Sequence, residues 1–518
     1  MRCIALRWPA AIRELCLALA GGCAMGPVAA AAARPQYGGV LRVELRATSA
    51  KLNPVKWKAG SADFASNERL AELLFDRLLT LDNHGRFQPQ LATEWSHDAA
   101  AKRWQFTLRS GVKFSDGTAL TAGDVVAALQ TLLPRGMQVT ATGGGIAIQS
   151  ATPAGDLLEL LASGPYFIYR DNGSGLPRGT GPFVLESVSA SAREPEKTGA
   201  EGTASQTQRL RFRFNDNCWN GRPYLDAIEV TMGVPPLKAL LDLQLGKADL
   251  GELSVDTAKR AQQTSLKCWT SAPLTLFALK FSGDGKPEQE QRLREAISLS
   301  VDREAMARVL LQKQAQAAGS FLPQWLSGYA FLFDAERNLE RAKELRGKVP
   351  PSIAGAALPL RVTVDVNNEL SKLIAERVAV DARAAGLTLQ TVRAGARTAS
   401  DITASKSEGE AQLVALRYTS LSARDVLESL ASGARRQAEA GVPVEADARY
   451  AWEKRMMEGR TLLPLVAVPD FAAVDGRVRN WSPSPWGEWR LADVWLEQGD
   501  PSNGSRDAAS KPLLGAKP

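Results

Sequence analysis

Residues 104–126 read W-Q-F-T-L-R-S-G-V-K-F-S-D-G-T-A-L-T-A-G-D-V-V, and no other stretch says as much about how this chain folds. Trp104, Phe106 and Leu108 face one way and Gln105, Thr107 and Arg109 the other, the two-residue period of a half-buried strand. Gly111 permits a tight reversal. Val112 and Phe114 then resume the alternation up to Asp116-Gly117, a strong turn pair. Thr121 and Asp124 have the spacing of a capping box, in which hydroxyl and carboxylate each accept from the other residue's backbone N–H. Val125, Val126, Leu129, Leu132 and Leu133 supply the apolar face of the helix that follows. The expected unit is strand, turn, strand, turn, capped helix; periodicity alone makes it a generic β-β-α arrangement.

The wording of the stretch is more specific than its periodicity. F-x-L-R-x-G-V-K-F-x-D-G-x-x-L-T-A-x-D-V resembles the signature of the family 5 extracellular solute-binding proteins, the oligopeptide-, dipeptide- and nickel-binding receptors of bacterial ABC importers. Gly38-Gly39-Val40-Leu41-Arg42-Val43 is similar to the family's opening strand, followed by a polar loop ending in Leu52-Asn53-Pro54. Pro89-x-Leu91-Ala92-x-x-Trp95 and Gly179-Thr180-Gly181-Pro182-Phe183 resemble two further family motifs. So do Asn215 to Asp226, Leu243 to Gly251, and the run from Arg294 to Arg303. Between the first matches, Leu70, Leu73, Leu74, Leu78 and Leu79 mark an amphipathic helix closed by Asp82-Asn83-His84-Gly85.

The resemblance implies an α/β, two-lobed periplasmic binding protein fold that closes about a hinge, with an extra domain of the N-terminal half inserted in lobe I. The expected division is a signal peptide over 1–33, lobe I from 34–58, 185–265 and 481–518, inserted domain II over 59–184, and lobe III over 266–480. The resemblance also implies a substrate-binding component of an ABC import system, with a peptide or small-molecule ligand, ABC permease subunits as partners, a monomeric state and no enzymatic activity. A solute sensor of the same fold is the alternative, and a secreted hydrolase a remote one.

Composition agrees with a globular chain of several domains: 518 residues, 45% apolar and 23% charged, are too many for one core. Residues 1–33 hold Arg2, Arg7, Arg13 and Glu14, so without them the formal charge of +7 becomes +5. That charge is spread along the chain, without the basic runs of a nucleic-acid binder. The same 33 residues have a basic start, a short apolar run from Leu15 to Met25 and Ala31-Ala32-Ala33 as a cleavage site, which reads as export to the periplasm. Leu19 to Cys23 is a loose lipobox, leaving a lipid anchor at Cys23 as the alternative.

Cys218 and Cys268 lie beyond that segment, and a disulfide or two unpaired thiols are equally compatible with them. The only histidines, His84 and His97, both sit in turn-like sequence. That scarcity opposes imidazole-based hydrolysis or a zinc site, and no cofactor or metal is expected. Gly143-Gly144-Gly145 lacks a following Lys-Ser/Thr and reads as a hairpin, not a phosphate loop.

Ligand contacts are expected from the family-like positions: Thr48, Ser49 and Lys51 in the first lobe, Arg417, Tyr418, Ser422 and Asp425 in the third, and Trp481 near the hinge. Peptide-binding relatives carry an acidic run after the strand that corresponds to Leu413–Tyr418, and one of its carboxylates takes the peptide's α-amino group. This chain has Leu421-Ser422-Ala423-Arg424-Asp425 there, so Asp425 is either a displaced anchor or, with Arg424, the solvated start of a helix. Trp486, Trp489 and Trp495 read as packing residues, and Asp302 as a helix N-cap.

Overall fold

The structure, a computed structural model, describes residues 34–57, 63–171, 173, 177–191, 207–281, 287–329, 333–349, 360–364, 368–393, 411–433 and 441–497. The expected signal segment and most of the polar tongue between 189 and 207 lie outside them.

Arg103–Leu108 is a strand, with Trp104 and Phe106 buried and Gln105 and Thr107 exposed. It belongs to a four-stranded antiparallel sheet ordered Ala92–His97, Arg103–Leu108, Gly145–Ser150, Met137–Thr142, the last two joined by the glycine-rich hairpin. Trp104 lies opposite Ile148 and Phe106 opposite Ile146, so the apolar faces coincide.

The helix Ala122–Gln130 starts with both bonds of the capping box, Thr121 N–H to Asp124 Oδ2 at 2.9 Å and Asp124 N–H to Thr121 Oγ1 at 3.3 Å. It buries Val125, Ala128 and Leu129. Val112 and Phe114 are buried as their alternation requires, yet they form no strand of the sheet. The Asp116-Gly117 turn folds the segment onto itself through a single Lys113–Ala119 bridge, and the Ser115 N–H goes instead to the Gly179 carbonyl at 2.9 Å.

The leucine-rich segment also divides differently from its periodicity. The helix covers Phe64–Leu74 and ends where Phe75 turns extended, so Leu79 begins the short strand Leu79–Leu81. Asp302 does cap a helix, accepting from the N–H of Ala305 at 2.8 Å, but that helix widens after Ala305 into a π turn over Met306–Leu310.

Among the described residues the larger sheet has eleven strands. Ten lie in the order Leu389–Arg393, Leu360–Val364, Ala411–Arg417, Lys267–Phe281, Leu462–Val474, Leu250–Leu253, Val40–Glu44, Ala227–Thr231, Thr207–Phe214 and Phe183–Ser191; Gln316–Ala317 pairs beside Leu462–Val474. Lys267–Phe281 and Leu462–Val474 are long antiparallel strands, and they change partners along their length. Phe471 to Val474 pair with Leu250–Leu253, whereas Thr275 to Phe281 pair with Ala411–Arg417. At the change Pro273 faces Pro469, with register shifts on both sides. Proline has no N–H to give a ladder, so two opposed prolines interrupt it there.

The apolar interior of the described residues falls into three clusters, one of which continues across the break from Leu243 and Leu253 to Phe277 and Ile297. One cluster runs from Leu41 through the four-stranded sheet to Trp489 and Leu496. Beyond the break the strand is covered on both faces: Phe277 and Leu279 pack into one cluster with Ile297 and Ile374, Leu276 and Ala278 into another with Phe321 and Trp452. Cys218 and Cys268 are both free thiols. Among the described residues no helix is long and apolar enough to cross a membrane.

Candidate ligand-binding cleft

Buried charge gathers where the two long strands change partners. Helix Phe64–Leu74 is apolar on its Leu70, Leu73 and Leu74 face but also carries Glu68, Arg69 and Glu72 inward. Arg69 pairs with Glu252 and with Asp470, the latter at 2.6 Å, and donates to the Gly487 carbonyl at 3.2 Å. Arg417 approaches the same Asp470 with two parallel bonds of 2.9 Å, the fork geometry in which arginine binds a carboxylate most strongly. Burial alone would raise the Asp470 carboxyl, but Arg417 and Arg69 outweigh it and hold the group at about 2.

A second knot adjoins this one. Arg77 donates to Glu68 at 2.7 Å, to Glu488 at 3.1 Å and to the Gly164 carbonyl at 2.9 Å, with its guanidinium 3.9 Å from the Phe167 ring centroid. Arg490 reaches Glu488 at 3.0 Å. Burial raises Glu68 despite Arg77 and Arg417, and it raises Glu72 well above the carboxylate range, helped by the negative charge of Glu488.

Beside these charges a pocket of about 340 Å³, counted with its opening to solvent, is walled from both sides of the break. Glu68, Ser163, Trp486 and Glu488 come from one side, and Leu274, Trp325 and Tyr418 to Leu421 from the other. The Trp325 and Trp486 rings lie 5.1 Å apart, and Tyr418 meets Trp325 edge-on at 6.2 Å. Trp325 donates its indole N–H to the Pro273 carbonyl at 3.3 Å, whereas that of Trp486 is buried with no acceptor among the described residues.

The positions expected to touch ligand are distributed unevenly around this pocket. Tyr418 is on its wall, with its hydroxyl donated to the Phe321 carbonyl at 2.8 Å. Arg417 lies behind, engaged with Asp470. Ser422 caps the helix Ala423–Gly433, accepting from the N–H of Asp425 at 3.1 Å, so Arg424 and Asp425 form its first turn. Neither is solvated: Asp425 is raised by burial, and Arg424 is paired at 3.2 Å with Asp156, which also takes the Ser422 hydroxyl. Thr48, Ser49 and Lys51 are exposed and off the pocket wall. Trp481 packs against Trp269 and donates to the Trp489 carbonyl at 3.0 Å.

Glu68, Trp325, Trp486 and Glu488 were not among the expected contacts. Trp489 and Trp495 are packing residues as read, but Trp486 is on the pocket wall. Among the described residues no cluster of three or more histidine, cysteine, aspartate or glutamate side chains could hold a metal.

A two-part sheet joined by two strands, with a pocket walled by both parts, defines a solute-binding architecture. Residues 86–434 match the profile of the bacterial extracellular solute-binding proteins, family 5, and the chain belongs to that family. Its curated relatives include the nickel-binding periplasmic protein of Escherichia coli, 24% identical over 62% of this chain and 66% of the relative. The oligopeptide-binding protein AppA of Bacillus subtilis is another, 24% identical over 57% of this chain and 55% of the relative. The chain thus spans just over half to about two thirds of these two proteins. The structure of AppA in complex with a nonapeptide superposes with a TM-score of 0.70 at 16% identity, covering 90% of this chain and 100% of that one, and shows that the two-lobed fold is shared.

Proposed function

We propose that this protein is the solute-binding component of an ABC import system, which captures a peptide or similar small solute by closing two lobes about it and delivers it to a membrane permease. The observation that carries the proposal is the pocket at the Pro273–Pro469 break, because its walls come from both sides of the point where the long strands change partners. Rotation about that break separates Trp486 and Glu488 from Trp325 and Tyr418 and opens the pocket; closure rebuilds it around the solute. In this reading residues 34–58, 185–265 and 481–518 form lobe I, 59–184 an inserted domain and 266–480 lobe III. The protein acts as a monomer in the periplasm after export through residues 1–33.

Trp325 and Trp486 are natural reporters of the event. Solutes are to be screened by tryptophan fluorescence and small-angle scattering on the purified protein, alongside native mass spectrometry of material from its own host. A solute that shifts the fluorescence and contracts the scattering envelope is the expected result. An envelope that stays unchanged with every solute, together with turnover of one of them, overturns the proposal.

A further inference from the structure

The pocket's polar groups are unequal in sign. Its charged wall residues are Glu68 and Glu488, both carboxylates. Arg77 already pairs with both and Arg490 with Glu488, and the other arginines nearby are held by different acids. Arg77 is divided among Glu68, Glu488 and the Gly164 carbonyl; Arg417 is held bidentate by Asp470; Arg69 is shared by Glu252 and Asp470. An anionic solute would therefore meet two carboxylates and no uncommitted guanidinium among these three. A carboxylate can accept about four hydrogen bonds, so Glu68 keeps capacity for donors after binding Arg77, and Glu488 keeps one site after binding Arg77 and Arg490. Trp325, Trp486 and Tyr418 line the same pocket as the carboxylates, and aromatic faces attract cations through their quadrupole.

Resting on the receptor role proposed above, we infer that the pocket takes a small organic cation, an amine, quaternary ammonium or guanidine, held between the Trp325–Trp486 pair and the Glu68 and Glu488 carboxylates. Where the cation carries an oxygen, as choline does, that oxygen satisfies the buried Trp486 N–H, which has no acceptor among the described residues. The titration of the surrounding acids supports the assignment. Glu68 faces Arg77, Arg417, Glu488 and Arg69, Glu72 faces Glu488, Arg77 and Glu68, and both carboxyls remain raised, so one further positive charge favours their ionised forms. Cation binding then releases protons, and affinity rises with pH across the range in which these acids titrate.

The test is calorimetric titration of the purified full-length protein with choline, putrescine and agmatine, against the neutral counterparts 3,3-dimethylbutanol and 1,4-butanediol and the anions succinate and glutarate. At least one cation is expected to bind ten-fold or more tightly than every neutral and anionic probe. Glu488→Gln should weaken it by ten-fold or more, and Trp325→Leu by at least three-fold. Glu68→Gln should behave like Glu488→Gln; should it fail to fold, Glu488→Gln and Trp325→Leu decide. Absence of binding by all three cations, or a neutral or anionic probe binding as tightly, overturns the inference. Scattering separates the two levels: contraction with a neutral or anionic solute preserves the receptor role and removes the cation, whereas no contraction with any solute removes both.

Discussion

Asp470 carries two buried arginines on one carboxylate, and removing its charge leaves Arg417 and Arg69 in excess. Unpairing a buried ion costs about 3–5 kcal/mol, so Asp470→Asn should lose stability of that order in urea unfolding at pH 7. Its folded carboxyl sits at about 2, below the unfolded value, so this stabilisation is complete above about pH 4 and disappears as pH falls towards 2. The gap between wild type and Asp470→Asn should close over that window. Glu453 has the opposite sign. It is fully buried and raised to about 7 by burial, even though one oxygen accepts from the N–H groups of Phe321 at 2.6 Å and Leu322 at 3.3 Å. The folded protein holds this proton where the unfolded chain releases it, so its contribution falls as pH rises from about 4 to 7. Glu453→Gln keeps an acceptor for both N–H groups and does not titrate. It should match wild type near pH 4 and exceed it by about 1–3 kcal/mol at pH 8, measured by urea unfolding at both pH values.

At the scale of elements, the motifs that could be read from the chain prove to be scaffold. Thr180 and Trp219 both donate to Asp76 Oδ2, at 2.7 and 2.9 Å, and Gln90 donates to Asp76 Oδ1 at 2.9 Å, so three separated motifs converge on one buried carboxylate. Gly179 and Gly181 are glycines because the end of helix Phe64–Leu74 lies against them. A Cβ at 179 would sit 1.9 Å from the Leu74 carbonyl oxygen, and one at 181 would sit 2.5 Å from the Leu74 carbonyl carbon. Gly181→Ala should therefore cost more than about 3 kcal/mol in thermal or urea unfolding, since backbone and not a flexible side chain must yield. Caps and alternation were legible because each depends on neighbours in sequence. The pocket was not, because Glu68, Ser163, Trp325, Tyr418 and Trp486 come from five segments with no shared spacing. Glu68 and Glu72 look, in sequence, like the charged face of any amphipathic helix; only the tertiary contacts of Arg77 and Trp489 show that they point inward. Trp325 lies between Pro323 and Gly328, residue types that favour loops, although residues Gln324–Ser327 are a helical turn.

At the scale of the whole molecule, one acid outside the pocket wall ties the two sides of the cleft together. Asp156, next to the short helix Leu157–Leu161, takes the Ser422 hydroxyl and the Arg424 guanidinium; on the pocket wall itself Ser163 accepts from the N–H of Leu421 at 2.9 Å. The Asp156 and Arg424 side chains are 15% and 13% exposed, so their attraction is screened less than that of a surface pair. Asp156 is not part of the pocket wall, and its bonds exist only when the two sides meet. It therefore favours the closed arrangement without touching the solute, and a solute's apparent affinity scales with the population of the form that binds it. Asp156→Ala removes an ion pair and a hydrogen bond together, worth about 1–2 kcal/mol in this setting. The expected result is a roughly ten-fold weaker dissociation constant for whichever solute binds, arising from faster release, with a larger scattering envelope in the unliganded protein. Arg424→Ala should reproduce part of the effect. A variant at Asp156 that binds as tightly as wild type would place the closing energy elsewhere, in the Arg69–Asp470–Arg417 knot at the strand break, which stays assembled in both arrangements only if that break and not the knot is where the molecule bends.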